Sequence, residues 1–126
     1  MAINPVDAKA MGLKDGSRAQ VVSATNRAGA WELGNGRRKE MIGRVKVTET
    51  IRPGVLTFLP GYGHWANGSA DLAIDGKRIA GDPKRATGFN ANAAMWIDPH
   101  LKNTCMVDPV GGSVSLCDTR VTLEKV

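Results

Sequence analysis

Turn formers cut this chain into short pieces, and that limits the folds open to it. Asp15-Gly16, Gly34-Asn35-Gly36, Arg52-Pro53-Gly54, Asp98-Pro99, Asp108-Pro109 and Gly111-Gly112 all interrupt otherwise regular runs. Gly permits positive φ and Pro withholds a backbone donor, so neither helix nor strand runs far through such points. Between them the residues alternate. Ser17 to Ala24 puts Ala19 and Val21 on one face and Arg18 and Gln20 on the other. Gly43 to Thr50 sets Val45 and Val47 inward, with Arg44, Lys46 and Thr48 outward. Arg120 to Lys125 sets Val121 and Leu123 against Thr122 and Glu124. A period of two marks a half-buried strand. Short strands with a turn about every ten residues predict an all-β barrel or sandwich with minor helix.

The other pieces fit that class. Asn4-Pro5 opens a short helix, with Asn4 as N-cap, Pro5 as first helical residue and Gly12 as a left-handed stop. Thr25 to Gly29 reads as a turn and Ala30 to Leu33 as a short strand. Val55 to Leu59 is β-rich and mostly apolar, which predicts a central strand. A long irregular region runs from Pro60 to about Phe89, with a small hairpin around Ile74-Asp75-Gly76-Lys77. Ala91 to Ile97 fits a helical turn or a strand, and periodicity does not choose.

The 126 residues suit one domain spanning 1–126 with a modest core. The chain is 42% hydrophobic and 23% charged, which excludes a disordered protein. No stretch approaches the roughly 18 apolar residues of a membrane span, so no membrane contact is expected. The opening MAINPVDAKAMG lacks the basic start and apolar middle of a signal peptide, so no targeting signal is expected in it. Net charge is +5, with much of the excess in Arg37-Arg38-Lys39, read as a solvated loop. The six aromatics do not alternate with basic residues, so nucleic acid is not an expected partner.

Catalytic signatures are missing from the sequence. There is no GxSxG elbow and no Walker or Rossmann glycine pattern. Cys105 and Cys117 are wrongly spaced for CxxC chemistry, and His64 and His100 lack metal spacing. Small buried thiols are the plain reading of the cysteines, and a disulfide stays open. Two stretches suggest binding instead. Gly61-Tyr62-Gly63-His64-Trp65 pairs glycines, which admit close backbone approach, with a hydrogen-bonding ring and a flat stacking face. Gly88-Phe89-Asn90-Ala91-Asn92 offers amides with two donors and two acceptor lone pairs, suited to a purine or pterin edge. If extended, this stretch turns Asn90 and Asn92 to the same side. A strand-exit turn and an ordinary loop explain the same residues.

The order of these pieces is more specific than any one of them. "INPVDAKAMGLKDGSRAQVVSATN", "GRVKVTETIRPGVLTFLPGYGHW", "TGFNANAAMWIDP" and "DPVGGSVSLCDTRVTLEKV" follow one another along nearly the whole chain. In that order they resemble the C-terminal cofactor-binding domain of molybdopterin oxidoreductases, the dimethyl sulfoxide reductase family. The GYGHW segment is most similar to the branch acting on tetrathionate, thiosulfate, polysulfide or arsenate. The resemblance implies a six-stranded double-psi β-barrel with short peripheral helices. It implies a domain of a larger subunit that closes over bis(molybdopterin guanine dinucleotide) carrying Mo or W. His64, Trp65, Gly88, Phe89, Asn90 and Asn92 would face that cofactor, and Asp108 and Asp118, near the closing loop, have a weaker claim. Catalytic residues and metal ligands are not expected here; in the family they belong to other domains.

The implied partners are the rest of the parent catalytic subunit, together with its iron–sulfur electron-transfer subunit; the isolated domain would be a monomer. The parent would act in the periplasm or outside the cytoplasm of a prokaryote, a cytoplasmic one remaining open. Two departures stand out. A strand carrying Gly-Arg, His and Thr contacts precedes the Pro-x-Asp-Ala motif in many relatives, whereas Met1 lies almost at that motif. The usual Leu-Thr after the second Asn is Ala93-Ala94 here. Alternative readings are a separate small subunit, as in formylmethanofuran dehydrogenases, and a double-psi barrel serving as an interaction module. A self-processing decarboxylase would need cleavage at Gly16-Ser17, Gly68-Ser69 or Gly112-Ser113.

Overall fold

The computed structural model describes residues 1–34, 37–59, 61–63, 68–102, 104–108, 110–114 and 119–126. The chain begins with β1 (Ala2–Ile3) and α1 (Pro5–Ala10). Asn4 caps α1 as its type predicts: its Oδ1 accepts the Val6 N–H at 2.9 Å. Pro5 takes the first turn, and Gly12 follows the helix at φ +65°. β2 (Arg18–Ser23) buries Ala19, Val21 and Ser23 and leaves the alternate residues outward. β3 (Ala30–Gly34) pairs antiparallel with β4 (Arg37–Glu40). β5 (Ile42–Arg44) and β6 (Lys46–Val47) follow, then the β7 (Leu72–Ile74) and β8 (Lys77–Ile79) hairpin. Short 3-10 turns at Pro83–Ala86 and Ala91–Ala94 precede the final strand, β9 (Val121–Lys125).

β2 is the middle of the largest sheet, in the order β5-β2-β9 and antiparallel to both neighbours. β1 runs parallel to β6, and the remaining sheets are the β3–β4 and β7–β8 hairpins. The core sits on the inner face of β2. Ala19, Val21, Leu123 and Met41 meet Ile3 and Ala8 from the first elements, with Val45 and Leu13 beside them. Ile3 and Met41 are almost wholly enclosed, so the two-residue strand β1 is held by burial as well as by pairing. The architecture is mainly strand with short helices, as expected. Among the described residues the strands do not close into a barrel.

Several local expectations change. Arg37-Arg38-Lys39 is strand, not loop. Lys39 lies opposite Trp31 and Arg38 opposite Glu32, and Arg38 also holds Glu40 at 3.1 Å. Hairpin pairing therefore overrides the loop-like charge run. Gly43 to Thr50 is broken at Val45, so the run serves two sheets instead of one. Val55 to Leu59 is not a central strand among the described residues. Only Thr57 is paired, through an isolated bridge to Ala2, and Phe58 and Leu59 remain 44% and 74% exposed. A strand needs partners as well as propensity, and this segment has one short contact. The expected hairpin at Ile74-Asp75-Gly76-Lys77 is present, with Asp75 and Gly76 both at positive φ, 48° and 73°. That is the conformation a two-residue type I′ loop requires.

No described helix is long and apolar enough to cross a membrane. Cys105 is a free, half-buried thiol, and Cys117 lies outside the described residues.

Candidate functional site

Two glycine-bearing loops meet above the sheet. The Gly63 N–H donates to Thr87 O at 2.8 Å. Gly63 lies at φ +73° with its α-carbon against the backbone of Phe89 and Asn90; a Cβ there would stand 2.7 Å from Phe89 Cα and overlap Asn90 N. Gly88, at φ +74°, faces the Tyr62 side chain so closely that a Cβ would come within 2.9 Å of it. The sequence reads these glycines as admitting a ligand; at Gly63 and Gly88 the group that comes close is the other loop.

Phe89 anchors the second loop. Its ring packs on the core beside Gly43 and lies 6.1 Å, centroid to centroid, from Phe58 at a 43° tilt. Asn90 then caps the 3-10 turn, its Oδ1 accepting the Asn92 N–H at 3.0 Å. The turn drives Ala94 into the core. Because the chain is helical here, Asn90 and Asn92 do not share a side as an extended strand would make them. The local side chain-to-backbone bond of Asn90 outcompetes the extended form. Among the described residues, the Asn90 Nδ2 and the whole Asn92 amide have no hydrogen-bond partner. Asn92 is exposed and Asn90 is half-buried.

Of the expected residues, Gly88, Phe89, Asn90 and Asn92 follow one another along one loop edge, with the Phe89 ring turned to the core. Asp108 serves its own turn: its carboxylate accepts the Val110 N–H at 3.2 Å and the Gly111 N–H at 2.8 Å. Each oxygen accepts one of these bonds, and among the described residues no hydrogen bond joins Asp108 to that edge. His64, Trp65 and Asp118 lie outside the described residues. Beside the loop lies an apolar cavity of about 560 Å³ between Val55–Phe58, the residues Phe89, Ala91, Ala94 and Met95, and Thr119–Val121. That size falls in the range of small-molecule pockets, roughly 300–1,000 Å³. No group of three or more His, Cys, Asp or Glu capable of holding a metal occurs among the described residues.

Sequence reasoning overlooked the turn after β2. Asn26 Nδ2 donates to Ala30 O at 2.8 Å and to Ala93 O at 2.9 Å. Thr25 Oγ1 donates to Met95 O at 2.9 Å. Nothing local marks these residues as more than turn formers, since their acceptors lie 67 and 70 residues away. Phe58 was also overlooked, being counted only as part of a strand.

The stretch ends in a rigid stop. Asp98 Oδ1 accepts the N–H groups of Leu101 and His100, both at 2.8 Å, and these bonds hold its carboxyl below the ordinary value. Asp15 is lowered by the Val47 N–H and Lys46, and Asp71 by the Gly81 N–H and Arg78. A depressed folded value means that the stabilisation is complete above the ordinary carboxylate range. It is lost as pH falls through the folded values. Stability should therefore decline below about pH 4. Asp98→Asn keeps an acceptor but removes one titration, so its melting temperature should fall less steeply than the wild type's between about pH 4 and pH 2. Parallel curves would discount Asp98.

Two known proteins are similar to this chain. It is 37% identical over all its 126 residues to a subunit of the selenate reductase of Mesobacillus selenatarsenatis. Over 99 residues, 79% of its length, it is 25% identical to a subunit of the tetrathionate reductase of Salmonella typhimurium. It spans only 12% and 8% of those relatives. No family model and no solved structure matches it.

Proposed function

We propose that this chain is a cofactor-binding domain of a larger molybdenum or tungsten reductase related to the selenate and tetrathionate enzymes. Its role is to close over a molybdopterin guanine dinucleotide. The observation that carries this reading is the Gly88–Asn92 edge. It is anchored by Phe89 and Ala94 and leaves amide groups of Asn90 and Asn92 uncommitted. Similarity along the whole chain to part of a selenate reductase supports the same reading.

The donor set fits the group. A guanine or pterin edge presents alternating donors and acceptors, which side-chain amides can match with either end. Asn90 would offer its Nδ2 and Asn92 its whole side-chain amide, while Gly88 lets Tyr62 pack closely against the start of the same loop. When bound, the cofactor supplies the metal-centred electron transfer; the protein holds and orients it. Phe89 fixes the depth of the loop, and the 3-10 turn fixes the spacing of the two amides. His64 and Trp65 belong to the same proposed face, with Asp108 at the closing loop beside it. A six-stranded double-psi barrel is the fold proposed for the complete domain. The parallel β1–β6 pair beside an antiparallel sheet is compatible with it. The proposed partners are the parent's other domains and an iron–sulfur subunit, in an extracytoplasmic compartment.

Amide chemical shifts test this directly. Guanosine monophosphate, and then extracted molybdopterin guanine dinucleotide, should move the signals of Gly88 to Asn92. Movement confined to Arg37 to Lys39 would reveal charge attraction alone and would reject the proposal.

A further inference from the structure

The turn of Ala91–Ala94 is poorly held by its own bonds. The Ala93 N–H reaches Asn90 O at 3.3 Å and the Met95 N–H reaches Asn92 O at 3.2 Å, both long for backbone bonds. Burial of Ala94 holds one point. The carbonyls of Ala93 and Met95 would otherwise be among the unpaired acceptors at a helix end. Two side chains from one distant turn take both. Asn26 spans Ala30 O and Ala93 O, and Thr25 takes Met95 O.

That turn is itself braced. Ser23 Oγ accepts the Asn26 N–H at 3.1 Å and lies 3.3 Å from Thr25 Oγ1. Asn26 O accepts the N–H groups of Ser23 and Gly29, both at 3.2 Å. Ser23 is buried on the central strand β2. The line Ser23, Thr25, Asn26 therefore ties the 3-10 turn to the most rigid part of the sheet. It uses backbone carbonyls for this and leaves the side-chain amides of Asn90 and Asn92 uncommitted.

We infer that Thr25 and Asn26 are positioning residues, which hold the Asn90–Asn92 edge in the geometry that receives a guanine or pterin ring; this rests on the function proposed above. A loop that samples several geometries binds with an affinity reduced by the fraction that is competent. The clamp raises that fraction without touching the ligand.

Thr25 is exposed, so it can be altered with little risk to folding. Thr25→Val keeps the shape and removes the donor; Thr25→Ser keeps the donor. Hydrogen exchange reads the clamp with no ligand present. In Thr25→Val, the Ala93 and Met95 amides should exchange up to about tenfold faster, the equivalent of one hydrogen bond, while β2 amides are unchanged. Guanosine monophosphate should bind about threefold to tenfold more weakly. Thr25→Ser should restore both, and Asn26→Ala should exceed Thr25→Val in both. If the wild type binds and Thr25→Val binds equally well, the positioning role is overturned and the function stands. If exchange rises as expected but the wild type does not respond to the nucleotide, the clamp is structural only and the proposed function fails with the inference. If exchange does not change, the clamp itself is refuted.

Discussion

Gly63→Ala is expected to unseat the Gly88–Asn90 loop and to cost roughly 2–5 kcal/mol of stability. Two terms combine. A left-handed backbone at φ +73° costs a non-glycine residue about 1–2 kcal/mol. Overpacking against Phe89 and Asn90 adds about 1–3 kcal/mol, because the methyl meets backbone that a rotamer change cannot move aside. Gly61 provides the control. It lies at φ +88°, but a Cβ there meets nothing within 4 Å. Gly61→Ala should therefore show only the backbone term, about 1–2 kcal/mol. Urea midpoints would measure both, and the Asn90 amide shift would report the displacement. Equal losses in the two variants would mean that the loops do not press together as described.

Asn4→Ala is the second large effect, at about 2–4 kcal/mol. The side chain works at both ends. Its Oδ1 caps α1, a contribution of about 1 kcal/mol. Its Nδ2 donates to Ile51 O at 2.7 Å across a part-buried contact, and leaving that carbonyl unpaired costs about 1–3 kcal/mol. Asn4→Ser retains a capping oxygen but is too short to reach Ile51, so it should fall between the wild type and Asn4→Ala. Denaturant unfolding of the three proteins separates the terms. If Asn4→Ser equals the wild type, the Ile51 bond contributes nothing. The position also bears on the fold, because Ile51 lies in the segment that leads to the Arg52-Pro53-Gly54 turn and the cavity wall. Asp7 reinforces the same junction by accepting the Gly54 N–H at 2.8 Å.

Asn4 also shows how much was legible in advance. Its capping role follows from Asn-Pro at a helix start, a rule that involves only neighbouring residues. Its bond to Ile51 follows from nothing local. The same division runs through the candidate site. The Gly-x-Asn-x-Asn spacing singles out Gly88, Asn90 and Asn92, whereas Phe89, expected on the cofactor face, packs its ring on the core and on Phe58. Of the helical and extended forms the sequence left open, the helical turn is the one adopted, because Asn90 finds a near partner in the Asn92 N–H. Thr25 and Asn26 remain hidden within an ordinary turn, their acceptors being distant in sequence. Asp108 has a local role that the sequence did not announce: its carboxylate accepts the following Val110 and Gly111 N–H groups.

By itself, then, the amino-acid order determined what depends on local stereochemistry. It set the capped helix at Pro5, the type I′ turn at Asp75-Gly76, and the alternating strands β2 and β9. Their side-chain period, φ preferences and caps involve residues within a few positions of one another. Tertiary structure decided the remainder. It turned Arg37–Lys39 into a strand by giving it Ala30–Gly34 as a partner. Among the described residues, it left Val55–Leu59 no sheet pairing beyond the contact of Thr57 with Ala2. It gripped the Ala91–Ala94 turn from the far side of the sheet. Each of these outcomes depends on whether a backbone group finds a distant partner or stays with water, and no local pattern encodes the answer.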